Sequence, residues 1–134
     1  MTGYATAAAA YTQDSVLSAP PERLVVMLYD GAGRFLARAA AAYRLGDSGA
    51  AMEPLQRAQA ILDELLVTLD PAAGPLTERL ESIYLFSKRT LTEAQLARDP
   101  EPIERVASLL AVLRDAWSQV ADGAGSGGPA GDLA

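Results

Sequence analysis

The chain has 134 residues, half of them hydrophobic but only 6% aromatic, and carries a net charge of −6. It contains neither cysteine nor histidine, which excludes disulfides, thiolate nucleophiles, the Ser-His-Asp triad and the usual zinc and iron sites. Seventeen acids face eleven bases, all lying between Arg23 and Arg114, so no basic stripe exists to track phosphates and nucleic acid is not an expected partner.

Alanine is abundant while β-branched and aromatic residues are scarce, a composition that favours closely packed helices over a sheet. No apolar run approaches the ~20 residues needed to span a bilayer, so membrane insertion is not expected. The first residues, Met1-Thr2-Gly3-Tyr4-Ala5, lack the positive region of a secretory signal, and the expected location is cytoplasmic.

Residues 1–20 read as a leader. Met1 to Ala19 holds one charge, Asp14, and scattered Tyr4, Tyr11, Val16 and Leu17 without a helical stripe, so mobility is expected. Pro20-Pro21 blocks helix on its amino side and presets the first turn, with Glu22 near the positive helix end.

The first helix is predicted from Pro21 to about Leu45. At about 100° per residue, Leu24, Val25, Leu28, Tyr29, Ala32, Phe35, Leu36, Ala39 and Tyr43 share a sector roughly 140° wide. Arg23, Asp30, Arg34 and Arg38 occupy the other side. A sector that wide touches two neighbours, which makes this the founding helix of a bundle. Asp47-Ser48-Gly49 reads as a short turn in which Asp47 or Ser48 caps the next helix.

The second helix is predicted from about Ala50 to Leu69, with Met52, Leu55, Ala58, Ile61, Leu62, Leu65, Leu66 and Leu69 over nearly half its circumference. Pro54 is expected in its first turn, the place where proline is tolerated. Asp70-Pro71-Ala72-Ala73-Gly74-Pro75 is a firm break. The third helix, about Leu76 to Arg98, has an inner stripe of Leu76, Leu80, Ile83, Tyr84, Ser87, Leu91 and Ala94, with Leu85 and Leu96 nearly opposite. Asp99-Pro100-Glu101-Pro102 ends it and opens a fourth helix with Ile103, Val106, Leu109, Leu110, Leu113, Trp117 and Val120 on one face. The glycine-rich residues 122–134 read as a loose tail. Four amphipathic segments with short connections make the expected fold all-α: an antiparallel up-down-up-down four-helix bundle over residues 21–121.

Chemistry is hard to place on it. A carboxylate-bridged iron site needs Glu-x-x-His pairs, which this chain cannot supply. A small all-helical mutase needs two or three inward cations, and only Arg114 sits at a boundary that permits this. The glycines from Gly123 to Gly128 follow a helix instead of opening one, so they form no phosphate loop. The predicted apolar sectors exceed what a bundle interior hides, mainly on the second helix and part of the third. That leaves a partner-binding bundle and a self-associating structural bundle, with no cofactor in either.

Several separated pieces of the chain resemble a known family. Pro21-Glu22, Met27-Leu28-Tyr29-Asp30-Gly31-Ala32 and Arg34-Phe35-Leu36, then Leu66 with Leu69-Asp70, Ile83-Tyr84, Leu91, Glu93-Ala94, Asp99-Pro100 and Leu113-Arg114-Asp115-Ala116-Trp117, resemble in order and spacing the flagellar export chaperones that bind flagellin (FliS-type). The resemblance implies a helical bundle, without nucleotide or metal, that holds the carboxy-terminal segment of flagellin in the cytoplasm. It implies prevention of premature polymerisation and delivery to the cytoplasmic domain of the flagellar export gate, with a homodimer allowed when no client is bound. An amphipathic client laid into a groove on helices two to four fits this picture. The expected client-binding residues are Leu62, Leu65, Leu66, Leu69, Tyr84 and Leu85, with Tyr11 and Val16, together with Leu17, of the leader covering part of the groove when it is empty.

Overall fold

A computed structural model describes residues 21–123. The expectations for residues 1–20 and for the rest of the tail lie outside the described residues. Four helices run up and down in turn: α1 (Pro21–Arg44), α2 (Ser48–Val67), α3 (Pro75–Ala97) and α4 (Pro100–Gly123), with a 3-10 turn at Pro71–Ala73 before α3. The antiparallel bundle expected from the sequence is the fold observed.

Local chemistry sets the helix ends. Pro21 begins α1 without an amide to leave unsatisfied, and Glu22 and Arg44 oppose the helix dipole at its two ends. Gly46, at φ 76°, stops α1. Its N–H donates to the Tyr43 carbonyl at 3.0 Å, and that of Asp47 to Ala42 at 2.9 Å, a Schellman closure. Asp47 then caps α2 by accepting the Ala50 N–H at 3.1 Å. The cap starts α2 two residues earlier than predicted and puts Pro54 inside the helix. Proline is accommodated there because its ring is buried while the carbonyl it fails to bond, that of Ala50, belongs to an exposed residue. At the far end α4 continues through Asp122 and Gly123, past the expected start of the tail, and Asp122 is held by Arg23 of α1 at 2.6 Å.

Packing is uneven around the bundle. Helix α1 lies closest to α2 and α4, and α3 touches the same two helices less closely. The alanines Ala32, Ala39, Ala42, Ala51 and Ala58 are nearly or wholly enclosed and let the α1–α2 backbones approach. Ten residues of α1 are buried, but only Leu80, Tyr84, Ser87, Leu91 and Ala94 of α3. Ion pairs tie α1 to α4 through Arg23–Asp122 and Asp30–Arg114 at 2.8 Å, and α2 to α3 through Asp63–Lys88 at 2.6 Å. Arg114 therefore bonds a carboxylate in the α1–α4 seam instead of pointing into a cavity. Glu64 of α2 is buried despite its charge, at 5% exposed.

Helices α1 and α3 meet across the diagonal through Tyr29 and Tyr84, whose hydroxyls are hydrogen-bonded and whose rings stand 6.3 Å apart. Trp117 stands beside Tyr29. Burial, reinforced by the neighbouring Tyr84, pushes the Tyr29 phenol far above its ordinary pKa. Burial raises Tyr84 too, so both stay protonated at any physiological pH.

Candidate functional site

The helices end at different heights, and a recess results. Helix α2 stops at Val67, and the chain turns through Asp70 and the 3-10 segment into α3. The apolar face of the first turns of α1 is therefore left without a full helix opposite. Leu24, Val25 and Leu28 of α1, Leu69 after α2, and Leu76 and Leu80 of α3 surround a pocket of about 360 Å³. Tyr84 and Trp117 complete its walls, and Glu22, Thr68, Asp70 and Thr77 supply the polar lining. Asp70 is fixed by accepting the Ala72 N–H at 2.9 Å, while its carbonyl takes the Thr77 hydroxyl at 2.8 Å. Gly74, at φ 77°, allows the sharp entry into α3.

A second recess of about 430 Å³ lies at the opposite end, between the last turns of α3 and the first turns of α4. Small residues, Thr90, Ala94 and Ala97, open it, and Phe86, Val106 and Leu109 give it apolar walls. Phe86 is half exposed at 50%, and Leu85 beside it is 47% exposed. Consecutive residues on a helix diverge by about 100°, so the two point toward different flanks of α3.

The structure divides the predicted client-binding residues. Leu62 and Leu65 are completely enclosed in the core. Tyr84, 1% exposed, reaches the first pocket only as part of its wall. Leu66 and Leu69 are half-buried at the core edge, and Leu69 lines the first pocket. Leu85 is on open surface. Tyr11 and Val16 lie outside the described residues. Sequence reasoning missed that α1 helps form the pocket, through Leu24, Val25 and Leu28, and that Leu76 and Trp117 face the same space. The usable signal was the helix break at Asp70-Pro71, which leaves the start of α1 longer than its neighbour. Nothing in the spacing of Phe86 and Leu109 marked the second recess.

Among the described residues, neither recess brings together a catalytic constellation. The first is lined by no Lys or Arg and the second by Arg105 alone. What both offer is apolar surface bounded by a few polar groups, suited to side chains of another polypeptide.

Fold and surface together define an all-α antiparallel four-helix bundle with apolar recesses at its two ends. Comparison with known protein families matches residues 4–124 to the flagellar protein FliS. The chain is 36% identical over 110 residues to the flagellar secretion chaperone FliS of Salmonella typhimurium, covering 81% of this chain and 82% of that protein. It is 35% identical over 124 residues to the Bacillus subtilis flagellar secretion chaperone FliS, covering 89% and 92% of the two chains. For the Campylobacter jejuni protein of the same name the figures are 33% over 112 residues, 83% and 88%. The chain belongs to the FliS family of flagellar secretion chaperones.

Proposed function

We propose that this protein binds the carboxy-terminal segment of flagellin in the cytoplasm, keeps it from polymerising prematurely and delivers it to the cytoplasmic domain of the flagellar export gate, with no cofactor. Family membership supports the client, and the observation that carries the reading is the open apolar pocket at the start of α1 and α3. Leaving Leu24, Leu69, Leu76 and Trp117 around an unfilled space of about 360 Å³ is unfavourable for the isolated chain and favourable once an apolar segment enters. An amphipathic client that orders on binding loses several kcal/mol in doing so, which is offset only by extensive burial. Two recesses along α3, with exposed Leu85 between their levels and Phe86 in the wall of the second, can provide it. In this reading Tyr11 and Val16, in the leader just before Pro21, cover part of the groove until client displaces them. Deleting residues 1–15 is then expected to tighten client binding or to increase self-association.

Trp117 is the chain's only tryptophan and lines the pocket, so its fluorescence reports occupancy directly. Titrating the full chain with a peptide of the flagellin carboxy-terminal segment should give a saturable shift in that emission, and excess chaperone should suppress flagellin polymerisation. No shift and no suppression would refute the proposal. A second reading, a self-associating bundle, draws on exposed Leu96 and Val112. Concentration-dependent sedimentation indifferent to added flagellin would favour it.

A further inference from the structure

The polar groups at the mouth of the first pocket are disposed as acceptors. Thr68 donates its hydroxyl proton to the Leu65 carbonyl at 2.7 Å, and Thr77 donates to the Asp70 carbonyl at 2.8 Å. Each hydroxyl has one proton, so only lone pairs remain for a visitor. Asp70 engages the Ala72 N–H through Oδ1 alone, and Glu22 adds a second carboxylate to the lining. Among the described residues no cation lines the pocket; Arg23, next to Glu22, is directed to Asp122 at 2.6 Å. Behind them, the Tyr84 hydroxyl is engaged with Tyr29 and the Trp117 ring lines the pocket, so the inner wall presents mainly ring surface.

One effect opposes a cation. Helices α1 and α3 both begin at this pocket, and each helix start carries about half a positive charge. Two such ends, roughly one charge together, are outweighed by two full carboxylates. The mouth is net negative.

We propose that this pocket selects, within the unfolded client polypeptide, a large apolar side chain accompanied by a nearby Lys or Arg. The apolar group enters among Leu24, Leu76 and Trp117, and the cation lies at the mouth against Glu22 and Asp70. This rests on the client reading above and specifies which part of the client the pocket accepts. Purely apolar segments fill the same volume but leave the carboxylates unpaired, so they bind less well.

The experiment uses the full chain and the double variant E22Q/D70N, in which the side-chain amide introduced at position 70 retains an acceptor for the Ala72 N–H. The probes are the flagellin carboxy-terminal peptide and the same peptide with every Lys and Arg replaced by Gln, followed by Trp117 fluorescence. At about 50 mM salt the double variant should bind the parent peptide roughly three- to tenfold more weakly than the wild type, and at about 500 mM salt the gap should close. The wild type should lose a similar factor with the Gln peptide, while the double variant should not distinguish the peptides. Equal low-salt affinities in all four pairings would overturn the selection of a cation and leave the client reading intact. No saturable signal from the parent peptide would sink both. Helical circular dichroism checks the variant; if it is not folded, the two peptides on the wild type alone decide.

Discussion

Two residues in equivalent positions show how little separates a good helix end from a strained one. Gly46 and Arg98 both close a helix with the same pair of backbone hydrogen bonds, Asp47 to Ala42 at 2.9 Å in one case and Asp99 to Ala94 at 3.0 Å in the other. Both residues are left-handed, at φ 76° and φ 54°. Glycine takes that conformation freely, whereas for a residue with a Cβ it costs roughly 1 kcal/mol or more. Arg98 is exposed. Arg98→Gly is therefore expected to raise stability by about 0.5–1 kcal/mol, read as a higher urea midpoint with an unchanged slope. A lower midpoint would mean that the arginine makes a compensating contact.

At the scale of the element, α3 is where the sequence was read least well. Its ends were legible because Pro75 and Asp99-Pro100 punctuate the chain, and of its expected inner stripe Leu80, Tyr84, Ser87, Leu91 and Ala94 are buried while Leu76 and Ile83 are half-buried. The division between core and open surface was not legible. Leu62 and Leu66 stand four residues apart on one face of α2, yet the first is sealed and the second half-buried. The difference depends on where α3 crosses, which a periodic pattern does not encode. The pocket escaped notice for a related reason: it is made by the ends of four helices and belongs to no single stripe. Substitution separates the two kinds of residue. Leu62→Ala is expected to destabilise by about 2–5 kcal/mol, as for other enclosed leucines. Leu85→Asp with Phe86→Asp should cost under about 1 kcal/mol and keep the helical dichroism, while weakening the flagellin peptide at least roughly tenfold. If the surface pair unfolds the protein, or leaves peptide affinity unchanged, the assignment of α3 to the binding face is wrong.

For the whole molecule, the diagonal Tyr29–Tyr84 contact couples stability to alkaline pH. Both phenols have raised pKa values in the fold, burial being the principal cause, while unfolded tyrosines ionise near pH 10. Above about pH 10 the native state thus holds more protons than the unfolded one, and stability must fall with rising pH. Below it this contribution is present in full. The slope should reach about 1.4 kcal/mol per pH unit for each tyrosine. Tyr29→Phe with Tyr84→Phe should flatten it, as measured by urea unfolding between about pH 9 and pH 11; an equal slope in the variant would place the titration elsewhere. The seam between α1 and α4 has a consequence of another kind. Arg23–Asp122, Asp30–Arg114 and Arg44–Glu104 join α1 to α4 along its length, so α1 waits for a helix made much later in translation to complete its packing. Until α4 has left the ribosome, the flank of α1 that carries Arg23, Asp30 and Arg44 lacks its native partner. A nascent or prematurely terminated chain is at that stage itself a sticky, incomplete polypeptide in need of shielding.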